Sequence, residues 1–420
     1  MTKQNPNTFD IDNSSILYLS LIRKDHTNIF RFTLTMTEEI QPQLLQTAVD
    51  LVYHRFPSVF AGFPHNFFRY QQVQAPQPPK VAPDPGCLIT MTPAEIARCA
   101  CRVYYRENQI IVEGFHALTD GYGMAATFCT MAAEYLKLRY DIQIPTGYPI
   151  MDIQSSVLEE ETEDSYLKYA NAKPLHLPSR YSYQLPGKEA SHDRIHETLM
   201  CFPVSDVLNA AHRYGVSMTA LLSAVMARSI MKVQHRSAKA RLRPVRIMVP
   251  IDLRRIFPSK TLRNFILYAL PTMEVSESEL SIQELAHKFS GQIKSHLKKD
   301  NLAGIIAYNV NTQKSLLYKL LPAKVKCSLM RLAYRFFGES NSSITFTNLG
   351  TVSVPEVMVP YIRSIHLTMT PRVRSPYNCG MISYNGKFYI NLCRFPEKSE
   401  LAEIFRRNLE RILQNKDSAI

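Results

Sequence analysis

Around Phe115–Gly121 the spacing of apolar residues changes abruptly, and this change restricts the fold more than any other feature of the chain. Upstream, Cys99–Tyr105 alternates as a half-buried strand does, Arg106-Glu107-Asn108 reads as a turn, and Gln109–Phe115 is a second strand. Downstream, Met124, Phe128, Met131, Ala132 and Tyr135 recur at helical spacing on one face of MAATFCTMAAEYLKL. A buried strand running directly into a buried helix belongs to a layered architecture in which helices cover a sheet.

The same mixture extends along the chain. Residues 16–22 and 29–35 read as a strand pair, and Pro42 with Leu45, Ala48, Val49 and Val52 predicts a helix that stops at Pro57. QAPQPPKVAPDPG reads as a rigid connection without regular structure, and 151–195, with its acidic run EEETED, as a linker. Beyond it lie two helices, the first stopped by Gly215 in a left-handed cap, the second buried through Leu222, Val225, Met226 and Ile230. RPVRIMVPID, SSITFTNLG, SIHLTMT, CGMISYN and KFYINLCR are strands, the last two joined at Asn385-Gly386, and a helix follows Ser399 as N-cap. The expectation is an α/β fold with mixed sheets. At 420 residues the chain is too long for one core, so two domains are expected, 1–180 and 181–420.

Composition narrows the classes of function. Apolar residues make up 45% and charged residues 20%, which suits a globular chain. No stretch reads as a secretory signal or a membrane span, so a cytoplasmic location is expected. The eight cysteines are dilute and read as free thiols, with Cys99 and Cys101 on the apolar face of a strand, and no metal site is expected. A net charge of +13 suits an anionic partner, but no nucleic-acid-binding motif accompanies it. The basic, apolar stretch 314–337 reads first as an amphipathic helix packed on its own domain, and second as an element resting on a membrane or lining an acyl-chain entrance. Serine-hydrolase elbows, phosphate loops, dinucleotide fingerprints and zinc-protease motifs are all absent from the sequence.

The chemistry centres on Phe115-His116-Ala117-Leu118-Thr119-Asp120-Gly121. His116 ends the strand, where a bend can turn its ring into a cleft, and an imidazole titrating near 6.5 suits proton abstraction at neutral pH. Read by itself, the segment is equally an ordinary strand end, with Asp120 capping the helix and Gly121 in the turn. Company from distant segments separates these readings. HALTDGYG resembles the HxxxDG signature of the chloramphenicol acetyltransferase-like superfamily of CoA-dependent acyltransferases, which includes alcohol acetyltransferases and peptide-synthetase condensation domains. VPIDLRRIFPSKTLRNF resembles its second landmark through Arg254, Pro258, Asn264 and Phe265. SSITFTNLGTVSVPEVMVPYI and HRFPSVF resemble further segments of the alcohol acetyltransferase-like branch, so the likeness runs over residues 15–415. The first histidine of a condensation-domain pair is here Phe115, and the plant-type DFGWG segment is missing from a chain with no tryptophan.

This resemblance implies two chloramphenicol acetyltransferase-like lobes with an active-site channel between them, acyl-CoA as co-substrate, and a small-molecule alcohol or amine as acceptor. It implies His116 as general base and a structural pair of Asp120 with Arg254, with Gly121 in the same motif. For the oxyanion we expect Thr347 or Asn348, and Asn264 as a loop-fixing residue near substrate. Two other readings are a stand-alone condensation-type enzyme fed by an acyl carrier protein, and a homologue that binds ligand without catalysis.

Overall fold

A computed structural model describes residues 7–23, 26–187, 194–236, 242–314 and 320–416. Two mixed sheets carry the architecture. The first orders its strands Ile362–Met369, Ile29–Met36, Gln109–Phe115, Cys101–Arg106 and Val81–Pro83. The second runs Ile266–Ala269, Val245–Asp252, Ile344–Thr351, Tyr377–Tyr384, Lys387–Arg394 and His196–Pro203, with Thr272–Met273 paired to Val245–Asp252 beside that path. One strand changes lobes: Ile362–Met369 lies late in the sequence but pairs antiparallel with Ile29–Met36, Ile365 opposite Leu34 and Leu367 opposite Phe32.

Each sheet is covered by the helices that the apolar spacing marks. On the first, Pro42–Tyr53 and Gly121–Tyr140 bury Leu45, Val49, Val52, Phe128 and Met131 against Phe32, Leu34 and Ile365. On the second, Met218–Arg236 and Glu400–Leu413 bury Leu222, Val225, Met226, Ile230 and Phe405 against Ile247, Phe346 and Ile390. Each such side chain contributes about 1.5–3 kcal/mol by leaving water. Gly215 has φ +62°, and Asn385 and Gly386 both have positive φ, the backbone a two-residue hairpin turn requires. Ser399 caps the last helix by accepting from the Ala402 N–H at 3.0 Å.

Four local expectations are corrected. Residues 16–22 are not a strand; the helix Asn13–Ser20 takes their place. Asp12 caps it by accepting the Ser15 N–H at 2.7 Å, and burial of Ile16 and Leu19 overrides the strand-like run of apolar residues. The acidic run is not a solvated linker. Glu161 is buried and makes a two-pronged pair with buried Arg55, both bonds 2.7 Å, within short helices at Glu159–Thr162 and Ser165–Lys168. The proline-rich segment contains Val81–Pro83, a parallel edge strand where a missing N–H is tolerated. Cys99 lies before the strand, capping the helix Pro93–Arg98, and Cys101 is the buried thiol; all eight cysteines are unpaired.

In the stretch 314–337, residues 315–319 lie outside the described residues, and Ala323–Ala333 is a helix. It buries Lys326 and Cys327 and leaves Val325, Leu329 and Leu332 exposed at 41%, 51% and 52%. Among the described residues no single helix is long and apolar enough to cross a membrane.

Candidate active site

The segment after the strand Gln109–Phe115 reverses direction before the helix Gly121–Tyr140 begins, and its carbonyls must find donors outside any ladder. Side chains from remote segments supply them. Asn264 donates through Nδ2 to the His116 and Ala117 carbonyls at 3.1 and 3.2 Å, and Ser15 Oγ also donates to Ala117 O at 2.8 Å. Gln72 Nε2 reaches Leu118 O at 3.3 Å, and the Thr119 hydroxyl donates to Leu262 O at 2.5 Å. The His116 N–H donates to Asn28 O at 2.9 Å.

The His116 ring is held between two aromatic side chains. Tyr18 stacks on it with centroids 4.4 Å apart and planes 15° from parallel, and Phe30 meets it at 4.9 Å and 56°. A minor part of His116 stays exposed, while its Nδ1 is buried without a hydrogen-bond partner among the described residues. Burial lowers its proton affinity below the ordinary histidine range; its own carbonyl, the Asp120 charge and Asn264 oppose that shift without reversing it. The imidazole is therefore neutral at pH 7.

Asp120 is directed away from the ring. Its Oδ1 accepts the Tyr122 and Gly123 N–H groups at 3.1 and 3.3 Å, capping the helix, and its Oδ2 accepts from Arg254 Nη1 at 2.8 Å and from the Phe265 N–H at 2.9 Å. Arg254 also bonds Asp252 Oδ1 and the Thr261 and Arg263 carbonyls, and its guanidinium lies over the Tyr122 ring at 4.5 Å. Burial favours loss of its proton, but Asp120 and Asp252 outweigh it and hold the guanidinium charged. With side-chain exposures of 6% and 3%, Arg254 and Asp120 form a buried, fully hydrogen-bonded pair joining the two halves of the chain.

Two glycines permit the close approach. A Cβ on Gly121 would strike the Leu349 side chain, and one on Gly123 would strike Leu262 O and the Thr119 hydroxyl. Leu349 packs on the first core, whereas Ile344 and Phe346 of the same strand belong to the second. Strand alternation up to Asn348 sets Thr347 on one face and Asn348 on the other, the face of Ile344 and Phe346. There Asn348 Nδ2 bonds Thr219 Oγ1 at 3.3 Å and its Oδ1 accepts the Gly350 N–H at 2.9 Å. Sequence reasoning missed Tyr18, Ser15 and the buried ion pair of Arg263 with Asp12, 3.5 Å apart. Asp12 followed by Asn13-Ser14-Ser15 is a helix-start signal that would have brought Tyr18 onto a helix.

The chain matches no family model and no curated protein. Solved structures do resemble it. TRI101 of Fusarium sporotrichioides, determined with coenzyme A and T-2, matches at 13% identity over 96% of this chain and 97% of its own, with a TM-score of 0.61. The trichothecene 15-O-acetyltransferase TRI3 of the same organism matches at 11% identity, 96% and 94% coverage, and 0.61. The epimerization domain from the third module of tyrocidine synthetase B matches at 11% identity, 98% and 97% coverage, and 0.60. The likeness is one of fold. It spans both lobes, and the expected mixed α/β, two-lobed class is the class of these neighbours.

Proposed function

We propose that this chain is an acyltransferase that moves an acyl group from a CoA thioester to an alcohol or amine acceptor, with His116 as general base. The observation that carries this reading is the neutral, partly exposed imidazole held between Tyr18 and Phe30 at the end of a clamped strand. Support comes from the whole-chain likeness to TRI3, an O-acetyltransferase, and to TRI101, whose structure holds coenzyme A. In the proposed reaction the thioester supplies an activated carbonyl with a good leaving group. His116 takes the proton of the acceptor O–H or N–H as its lone pair attacks that carbonyl. The C–S bond then breaks, and the imidazolium returns its proton to the departing thiolate, so no acyl-enzyme forms.

Thr347 is our assignment for the oxyanion donor: it lies on the strand face opposite Ile344 and Phe346, and its hydroxyl makes no hydrogen bond among the described residues. Asn348 and Asn264 are bonded elsewhere, and Asp120, Gly121 and Arg254 position the loop. In this reading the lobes are 1–180 and 181–420, with Ile362–Met369 crossing into the first sheet. A carrier-protein thioester as donor is the second reading, favoured by the likeness to a peptide-synthetase domain.

The test is thiol release from a panel of acyl-CoAs offered with alcohols and amines, wild type against His116→Ala. Acceptor-dependent release that disappears in a folded variant supports the assignment. Equal release from both proteins refutes the role of His116, and release from carrier-protein thioesters alone establishes the second reading.

A further inference from the structure

Beside the candidate site lies a cavity of about 290 Å³ whose charge is one-sided. Among the described residues Arg23, Arg331, Arg335, Arg372 and Arg374 line it, with Glu339 as the carboxylate facing them. Glu339 is already engaged: its Oε2 lies 3.4 Å from Arg374 Nε, and its Oε1 accepts the Arg374 N–H at 3.1 Å. Arg331 and Arg372 are held in place by polar groups without charge. Arg331 Nε donates to Ser20 O at 2.8 Å, and Arg372 Nη2 to Ser342 Oγ at 2.7 Å. Arg372 Nε and Asn28 Nδ2, in two residues of the cavity wall, are buried and have no acceptor among the described residues. Like charges gathered on one wall repel one another, and an anion seated among them relieves that repulsion.

The cavity is one residue's breadth from His116. Asn28, in its wall, accepts the His116 N–H at 2.9 Å. Tyr18, stacked on the imidazole, lies within the electrostatic reach of Tyr334 and Arg372, both of which line the cavity. Its volume is at the lower end for a drug-sized ligand, room for a small anionic group with part of its carbon stem and too little for a nucleotide bisphosphate. The phosphates of a CoA thioester are also held away from its carbonyl by the whole pantetheine arm, farther than this cavity is from the ring.

We infer that the arginine-lined cavity binds a carboxylate on the acyl acceptor, so that this enzyme acylates hydroxy or amino acids. The inference rests on the acyltransferase reading. Arg372 and Arg335 offer a planar fork to the two carboxylate oxygens, a fit that an amide of the same shape cannot match. Arg372, Arg335 and Asn28 act in binding and specificity, while proton transfer stays with His116.

The experiment compares ω-hydroxy carboxylic acids with their primary amides as acceptors for acetyl-CoA, in wild type, Arg335→Gln and Arg372→Gln. Arg335 is exposed and makes no ion pair among the described residues, so its replacement leaves folding intact; Arg372→Gln is read only after its melting curve matches wild type. The expected result is a preference for the acid of about ten- to a hundredfold in kcat/KM, carried by KM and lost in both variants. Turnover of acids and amides with equal kcat/KM overturns the inference and leaves the acyltransferase reading standing. A rise in the KM for acetyl-CoA alone also overturns it, by giving the arginines to the donor. If no acceptor turns over, the acyltransferase reading fails, and calorimetric titration of the same acids and amides still decides whether the cavity selects the carboxylate.

Discussion

Tyr18 and His116 lie face to face, 4.4 Å apart and 15° from parallel, although their backbones belong to a helix and to the turn after a strand far apart in sequence. The stack fixes the plane of the imidazole, whose Nδ1 has no hydrogen-bond partner among the described residues. Tyr18→Phe keeps the ring and is expected to retain kcat within a fewfold. Tyr18→Leu frees the imidazole to rotate and is expected to lower kcat about ten- to a hundredfold with little change in KM. Steady-state kinetics of the two variants checks this, and equal kcat in both removes Tyr18 from the positioning role.

The acidity of the medium should act through the same ring. Burial lowers the His116 pKa, so the free base needed for proton abstraction persists below the ordinary histidine value of 6.5. The expected kcat/KM falls with slope one in acidic buffer, with its midpoint below 6.5. A midpoint at or above 6.5 contradicts the buried, neutral ring. The sign for stability is the same: the unfolded chain binds this proton more readily, so acid weakens the fold as pH drops from 6.5 toward the lowered value.

Asp120 and Arg254 are expected to act through the fold. Removing Arg254 leaves Asp120 charged and buried without its ion-pair partner, a loss of about 3–5 kcal/mol, and removing Asp120 leaves Arg254 with Asp252 alone to balance its charge. Asp120→Asn and Arg254→Gln should each lower the melting temperature strongly, and the double variant should lose less than the sum. Urea unfolding of the four proteins measures the coupling. Full activity lost without destabilisation in Asp120→Asn is the result that contradicts a positioning role.

The two glycines should differ in severity. In Gly121→Ala the new methyl meets the flexible Leu349 side chain, which can turn aside, at about 1–3 kcal/mol. In Gly123→Ala it meets the Leu262 carbonyl oxygen, which cannot move without pulling on the Thr119 bond. The larger loss of stability and of activity is expected for Gly123→Ala, and thermal melts of both rank them.

Local patterns were legible wherever the physics is local. The change of period at Phe115–Gly121, the Gly215 cap, the Asn385-Gly386 turn and the helix after Ser399 depend on neighbours within a few residues. The segment 16–22 misled because its apolar run satisfies a strand as well as a helix, and burial decided between them. Glu161 looked solvated because its partner Arg55 is far away in the chain. The pairing of Ile362–Met369 was invisible for a related reason: alternation marks a strand but not the strand beside it. Of the candidate site, the motif residues could be named from resemblance, while the aromatic clamp and the arginine-lined cavity are assembled from segments that no local spacing connects.

The crossing of Ile362–Met369 into the first sheet sets the timetable of biosynthesis. Until residue 369 has emerged from the ribosome, Ile29–Met36 presents an unpaired row of backbone groups along one side of a nearly complete lobe. Such an edge invites pairing with another chain, and a closure spanning more than three hundred residues is slow to form. The first lobe therefore waits on residues 362–369 for its last strand, and the nascent chain is most exposed to aggregation just before they emerge.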